Sequence, residues 1–373
     1  MSKKKKMGGL AGVTAGTTEL CTVGEEGAGL TYRGYDIYDL VDKASFEEVA
    51  YLLLYGKLPT RAELDGYIKK LKTLRGLSDR LKAILEMIPA DAHPMDVQRT
   101  GVSFLGNTEP EMDFSEQSDT ADRLLACLPS ILLYWHRFHT DGVRINTETT
   151  DDSIAGHFLH MLHDEAPSDL HRRCLDTTLI LYAEHEFNAS TFAGRVITGT
   201  LSDMHSAVVG AIGALRGPLH GGANEAAMEL ISQYDSPQSA IEGIREKLER
   251  KELIMGFGHR VYTTSDPRNS VNKEMSKILA MEQGKILLYE VSEAIEEVMW
   301  KEKKLFANAD FFTASVYHFM GIPTSLFTPI FVCSRITGWA AHIMEQRANN
   351  TLIRPAAEYV GPRLQEFLPI DDR

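Results

Sequence analysis

Helical periodicity constrains this 373-residue chain more than any other feature. Apolar residues recur at three- and four-residue spacing through Leu64, Tyr67, Ile68 and Leu71 and through Leu81, Ile84, Leu85 and Ile88. The same pattern runs along 170–192, 202–215, 286–299 and 330–344, as expected of helices that bury one stripe or their whole surface. Ser45 with Glu48 and Thr60 with Glu63 form two S/T-x-x-E capping boxes, separated by the Gly56-Lys57-Leu58-Pro59 break, and so mark two helix starts. Alternating β-branched runs are scarce. Only Leu20–Ile37, punctuated by Gly24, Gly27 and Gly29, reads as a hairpin. The expectation is an all-α fold with a minor N-terminal β-hairpin.

Composition narrows what such a helical chain can do. With 39 Lys and Arg against 52 Asp and Glu the net charge is −13, which disfavours nucleic acid and membrane surfaces and requires any anionic ligand to be held by placed arginines. The most apolar stretch, Leu124 to Trp135, is interrupted by Pro129 and Ser130 and falls short of the ~20 residues a membrane span needs. The Lys3–Lys6 run is followed by glycine and polar residues rather than an apolar segment, so it reads as a solvated tail and not a secretory signal. Cys21, Cys127, Cys174 and Cys333 are far apart with no C-x-x-C, as reduced thiols of a cytoplasmic protein would be. The length allows two or three domains. Glycine, proline and histidine cluster between Gly217 and Pro267, which divides the chain into a large domain of 1–217 and 325–373 and a smaller one of 218–324.

Three segments could carry chemistry. In Arg216-Gly217-Pro218-Leu219-His220-Gly221-Gly222-Ala223-Asn224 a small-residue helix stops at Gly217-Pro218 and Asn224 can cap the next, which leaves His220 in a tight turn between helix termini, neutral and able to donate to a developing enolate. An ordinary helical turn with a solvated histidine fits the same residues. In Met255-Gly256-Phe257-Gly258-His259-Arg260, Val261 stands where a third glycine of the dinucleotide fingerprint belongs, so what remains is a histidine on a glycine turn with Arg268 nine residues on. Asn308-Ala309-Asp310 opens an apolar helix, and Asp310 is either a cap or a general base. His185-Glu186-Phe187-Asn188-Ala189 lacks the second histidine of a zinc-protease helix, and Gly101 to Gly106 is one residue too long for a nucleophile elbow. Arg335, inside an apolar helix, and Arg354, before Pro355, need anionic partners if buried.

Taken together these segments resemble the citrate synthase family across nearly the whole chain. The resemblance rests on Tyr32-Arg33-Gly34-Tyr35, His93-Pro94-Met95-Asp96, Glu184 to Ser190, Gly217 to Asn224, Gly256 to Arg268, Asn308-Ala309-Asp310 and Arg335 to Arg354. Within the family, Cys21 to Gly24, Ser153 to His160, Met299-Trp300 and Glu358 to Pro362 look most like the bacterial 2-methylcitrate synthases. The resemblance implies a homodimer in which Asp310 removes a proton beside the thioester of an acyl-CoA, His220 holds the enol oxygen and His259 is the acid on the ketone of oxaloacetate. It further implies that His185, Arg268, Arg335 and, from the partner subunit, Arg354 hold the keto-acid carboxylates, that the 253–257 backbone (Leu253, Ile254, Met255, Gly256 and Phe257) lines CoA, and that Arg75 faces ligand. The large domain then carries the oxaloacetate side and dimerisation, the small domain the CoA side. No metal or other cofactor is implied, the CoA thioester being a substrate.

The leading expectation is condensation of propionyl-CoA with oxaloacetate and water to 2-methylcitrate. The alternative is mainly acetyl-CoA, because one methylene is worth only about 1–3 kcal/mol in an apolar pocket, here one shaped by Phe311, Phe312 or Tyr182. A more distant alternative is a non-catalytic helical scaffold. A thioesterase would release CoA without oxaloacetate, and the paired arginines argue against it. The chain lacks the long N-terminal extension that resembles the regulatory domain of larger bacterial citrate synthases, so control by NADH is not expected.

Overall fold

The computed structural model describes residues 10, 13–25 and 28–373; the Lys3–Lys6 run and Gly27 lie outside them. Where a hairpin was expected there is a three-stranded antiparallel sheet of β1 (Cys21–Glu25), β2 (Ala28–Tyr32) and β3 (Tyr35–Asp36). Cys21 faces Tyr32 and Val23 faces Leu30 across the first ladder, and Tyr32 faces Tyr35 across the second. Arg33 and Gly34 close the second turn with φ of 45° and 85°, the left-handed pair that a two-residue hairpin turn requires.

The rest is helical. The first group is α1 (Ile37–Lys43), α2 (Phe46–Tyr55), α3 (Arg61–Thr73), α4 (Asp79–Met87) and α5 (Pro94–Thr108). Next come α6 (Gln117–Asp141), α7 (Ile154–His163), α8 (Asp169–Tyr182), α9 (Ala189–Thr198) and α10 (Met204–Leu215). Then follow α11 (Ala223–Ile231), α12 (Pro237–Glu249), α13 (Pro267–Glu282), α14 (Ile286–Lys303), α15 (Ala309–Phe319) and α16 (Phe327–Ala348).

Both capping boxes form: Ser45 and Glu48 bond reciprocally at the start of α2, and Thr60 and Glu63 at the start of α3. Gly56 ends α2 at φ 83°, as a left-handed cap does. Pro129, which interrupts the most apolar stretch, sits inside α6, a helix of 25 residues. Burial of α6 against α4, α5, α7 and α16 outweighs the lost N–H of that proline. Among the described residues no helix is long and apolar enough to cross a membrane.

The centre of the molecule is α16, buried along nearly its whole length and packed by α2, α5, α6, α8, α9 and α10. That explains why its apolar pattern has no polar face. The helices α11 to α15 pack mainly among themselves, α12 on α14 and α13 and α11 on α15, and touch the rest through α8 and α16. Beyond α16 the chain runs to residue 373 exposed and without regular structure apart from a short turn at Ile370–Asp372.

Candidate active site

The segment between α10 and α11 makes the tight turn expected for His220. The N–H groups of His220 and Gly221 both donate to Gly217 O. A Cβ on Gly221 would stand 2.2 Å from Leu215 O, so only glycine lets the turn fold back on the helix it leaves. Asn224 does not cap α11; Gly222, at φ 80°, takes that position, and the Asn224 amide bonds instead to the Glu225 N–H. The backbone N–H of Ser190 donates to His220 Nε2 at 3.1 Å. A backbone amide can only donate, so Nε2 is an acceptor and the proton of the neutral ring sits on Nδ1. Burial, and then the charge of Arg335, push this imidazole down to about 4 and keep it neutral.

His259 is fixed in the opposite tautomer. Its Nδ1 accepts from the N–H groups of Val261 and Tyr262, both at 3.1 Å, which leaves the proton on Nε2. Burial and the charge of Arg268 bring it down to about 4 as well. Its ring lies 4.6 Å from Tyr262 and 5.1 Å from His185. His185 is buried, its Nε2 is 3.2 Å from the Tyr262 hydroxyl, and burial followed by Arg268 and Arg335 hold it well below the usual imidazole range.

The glycine turn before His259 is tied to the segment before Asp310. Asn308 N donates to Gly256 O, Gly258 N to Phe306 O, and the Asn308 amide to Gly258 O, so two stretches fifty residues apart form one short ladder. Asn308 caps α15 by accepting from the Asp310 N–H. Capping is therefore done by Asn308, and the Asp310 carboxylate is left for other work. It accepts from the Tyr182 hydroxyl at 2.5 Å. Burial raises its pKa, opposed first by that hydroxyl and then by Arg268, the condition of a carboxylate poised as a base.

Two arginines frame these groups. Arg268 is buried with its guanidinium forked on Asp266, at 2.9 and 2.8 Å, and Asp266 also accepts from Ala309 N at the start of α15. Arg335 is buried, stands over the Phe331 ring at 4.6 Å and donates Nε to Tyr182 O at 2.7 Å. Among the described residues it makes no ion pair. Burial lowers its pKa, as an uncompensated buried cation requires.

Of the segment expected at CoA, Leu253 is exposed, Ile254 is buried, and Phe257 packs on Phe311 at 4.6 Å beside Gly256. Phe311, Phe312 and Tyr182, expected to shape an acyl pocket, are all wholly buried; Tyr182 bonds the Asp310 carboxylate, and Phe311, next to Asp310 in α15, packs on Phe257. Arg354 is exposed on the extended tail and does not join the cluster within one chain. Arg75 does not join it either. Its guanidinium is buried under the 149–153 loop, donating to the carbonyls of Thr149, Asp151 and Ser153, beside the buried Glu47. Within one chain these carbonyls are where its guanidinium donates.

Sequence reasoning passed over the roles of Ser190, Trp339, Tyr262 and Asp266. All four lie inside the stretches that carry the family resemblance, Trp339 one turn after Arg335. Trp339 donates Nε1 to Ser190 Oγ at 3.1 Å and so steadies the residue that fixes His220.

Residues 9–356 match the family model described as citrate synthase, C-terminal domain. The chain is 64% identical to a 2-methylcitrate synthase of Shewanella oneidensis over 375 aligned positions, all of both chains, and 44% identical to citrate synthase 2 of Bacillus subtilis, over 98% of each. Among solved structures it superposes on the citrate synthase of Thermoplasma acidophilum, a ternary complex with carboxymethyl coenzyme A and oxaloacetate. That match has a TM-score of 0.91 at 32% identity and covers 98% of each chain.

Proposed function

Because the chain belongs to the citrate synthase family, we propose that it condenses propionyl-CoA with oxaloacetate and water to give 2-methylcitrate and CoA, and accepts acetyl-CoA as well. The observation that carries this reading is the pair of opposite histidine tautomers, with the turn of His259 tied by a short ladder to the segment that leads into the buried Asp310. His220 offers Nδ1–H and His259 offers Nε2–H, each because backbone N–H groups occupy the other ring nitrogen.

Asp310 takes a proton from the acyl carbon next to the thioester, and the electron pair moves onto the thioester oxygen. The N–H of His220 holds that oxygen, which is the polarisation a Lewis acid would otherwise supply, so the reading calls for no metal. The enol carbon then attacks the ketone carbon of oxaloacetate, and His259 protonates the ketone oxygen as it becomes a hydroxyl. Water hydrolyses the resulting thioester and releases CoA. His185, Arg268 and Arg335 hold the two carboxylates with the partner subunit's Arg354, and the unpaired charge of Arg335 supports that assignment. The 253–257 backbone lines CoA.

The smaller unit, 218–324, carries the CoA side and closes on the larger, 1–217 with 325–373, and the assembly is a homodimer. Four free, buried cysteines support a cytoplasmic location, and propionyl-CoA use supports a role in propionate breakdown.

The test is CoA release with oxaloacetate present, comparing kcat/KM for propionyl-CoA and acetyl-CoA, with an oxaloacetate-free control. A propionyl preference and silence in the control are expected. An acetyl preference makes the protein a citrate synthase, and release without oxaloacetate makes it a thioesterase.

A further inference from the structure

One face of α16 lies against the 182–190 segment beside the site, and its last member is not used by the chemistry above. Arg335, Gly338, Trp339 and His342 stand at i, i+3, i+4 and i+7, one stripe of a helix. Arg335 reaches Tyr182 O, and Trp339 reaches Ser190. A Cβ on Gly338 would lie 2.2 Å from Glu184 Oε2 and 2.4 Å from Ala183 O. His342 donates Nε2–H to Glu184 Oε1 at 2.8 Å, and the Cys21 thiol reaches the same oxygen at 3.4 Å.

Glu184 therefore sits directly before His185 and within one helical turn of Arg335, fully buried. Among the described residues its Oε2 has no partner. Its charge acts on Arg335 more strongly than that of any other anion. A buried carboxylate next to a buried guanidinium should pair with it, yet the two make no salt bridge among the described residues. His342 is in turn held from behind. Arg195 donates to its Nδ1 at 3.0 Å and to Glu345 at 2.7 Å, and Glu345 accepts from the backbone of Glu19 just before β1. With an arginine donating to Nδ1, the ring proton is on Nε2 and directed at Glu184.

We propose that His342 is a positioning residue that restrains the Glu184 carboxylate, so that the terminal N–H groups of Arg335 stay free for the keto-acid carboxylate. The inference rests on the reading that Arg335 holds oxaloacetate. Without the restraint, Glu184 competes with substrate as an internal anion.

Oxaloacetate binding is measured by calorimetry and as KM, alongside the KM for propionyl-CoA, in Arg335→Gln, His342→Leu, Glu184→Gln and the Glu184→Gln/His342→Leu double variant. His342→Leu is expected to weaken oxaloacetate about tenfold or more, the scale of a misplaced buried charge, with the acyl-CoA KM unmoved. Glu184→Gln keeps an acceptor for His342 but no charge, and should bind oxaloacetate as the parent does. The double variant should recover to within about threefold of the parent. A double variant as weak as His342→Leu, or a His342→Leu of parental affinity, overturns the restraint while the loss in Arg335→Gln leaves the role of Arg335 standing. Unchanged affinity in Arg335→Gln removes that role and the inference with it. If His342→Leu does not fold, His342→Met takes its place, alone and with Glu184→Gln: a loss that the double variant recovers supports the restraint, and parental affinity in the single variant or no recovery in the double overturns it.

Discussion

At the scale of single residues, this site works by assigning protons before substrate arrives. A histidine in water titrates near 6.5 and exchanges tautomers freely. Here Ser190 N–H fixes one ring and the N–H groups of Val261 and Tyr262 fix the other, while burial beside Arg335 and Arg268 keeps both neutral. The residue types and their order along the chain were legible in the sequence; the tautomers were not, because that of His220 depends on an amide the fold brings from thirty residues away and that of His259 on the turn its own next residues make. Asp310 carries the one carboxylate that must be ionised to take a proton, and its raised pKa is moderated by the Tyr182 hydroxyl. Replacing Tyr182 by Phe removes a donor that favours the charged form, so the Asp310 pKa rises further. The activity of a base is lost as pH falls through its pKa, so the acid limb of kcat/KM should move upward by ~1 pH unit, the worth of a hydrogen bond to a charged group. A limb that stays in place or moves down would remove Tyr182 from this role.

At the scale of elements, periodicity and the two capping boxes were legible because their signals are local, whereas the cap read at Asn224 gave way to Gly222. The boxes at Ser45 and Thr60 formed because each is closed within four residues. What a distant partner decides is not written locally: Arg75 donates to the carbonyls of a loop more than seventy residues on. Gly338 is the sharpest such case. Nothing in the apolar pattern of α16 marks it, yet the helix lies against the Ala183–Glu184 backbone only because this position has no Cβ. Gly338→Ala gains helix propensity, but the carbonyl of Ala183 is backbone and cannot give way as a flexible side chain would. The net expectation is a loss of about 1–3 kcal/mol, read as a lower urea midpoint at constant m. The loss should come with weaker oxaloacetate binding, as α16 is pushed away from Tyr182 and the Nε contact of Arg335 is stretched. An alanine variant as stable as the parent would show that the two elements have room to separate.

At the scale of the molecule, the exposed tail is the part that the single chain does not account for. It is anchored at its root, where Asn350 donates to Gly199 O and Gln346 to Thr351 O, and then runs out with Tyr359, Val360, Leu364 and Phe367 exposed. Apolar side chains in that number on one strand of chain belong against another surface. Arg354 lies near the start of this stretch, without a partner among the described residues, whereas Arg335 is buried and makes no ion pair among them. If the tail delivers the partner subunit's Arg354 to the site, each site is built from two chains, and two inactive variants can repair one another. In a mixed dimer of Asp310→Asn and Arg354→Ala chains, one site carries both lesions and the other carries neither. Random reassembly at equal concentrations makes half the dimers mixed, so about a quarter of parental turnover should return, with each variant alone nearly inactive. An arginine serving its own chain gives no repair at any mixing ratio, because every chain then carries one lesion in its own site. Recovery that rises with the mixed-dimer fraction, followed by CoA release after refolding together, would place Arg354 across the interface; flat activity would return it to its own subunit.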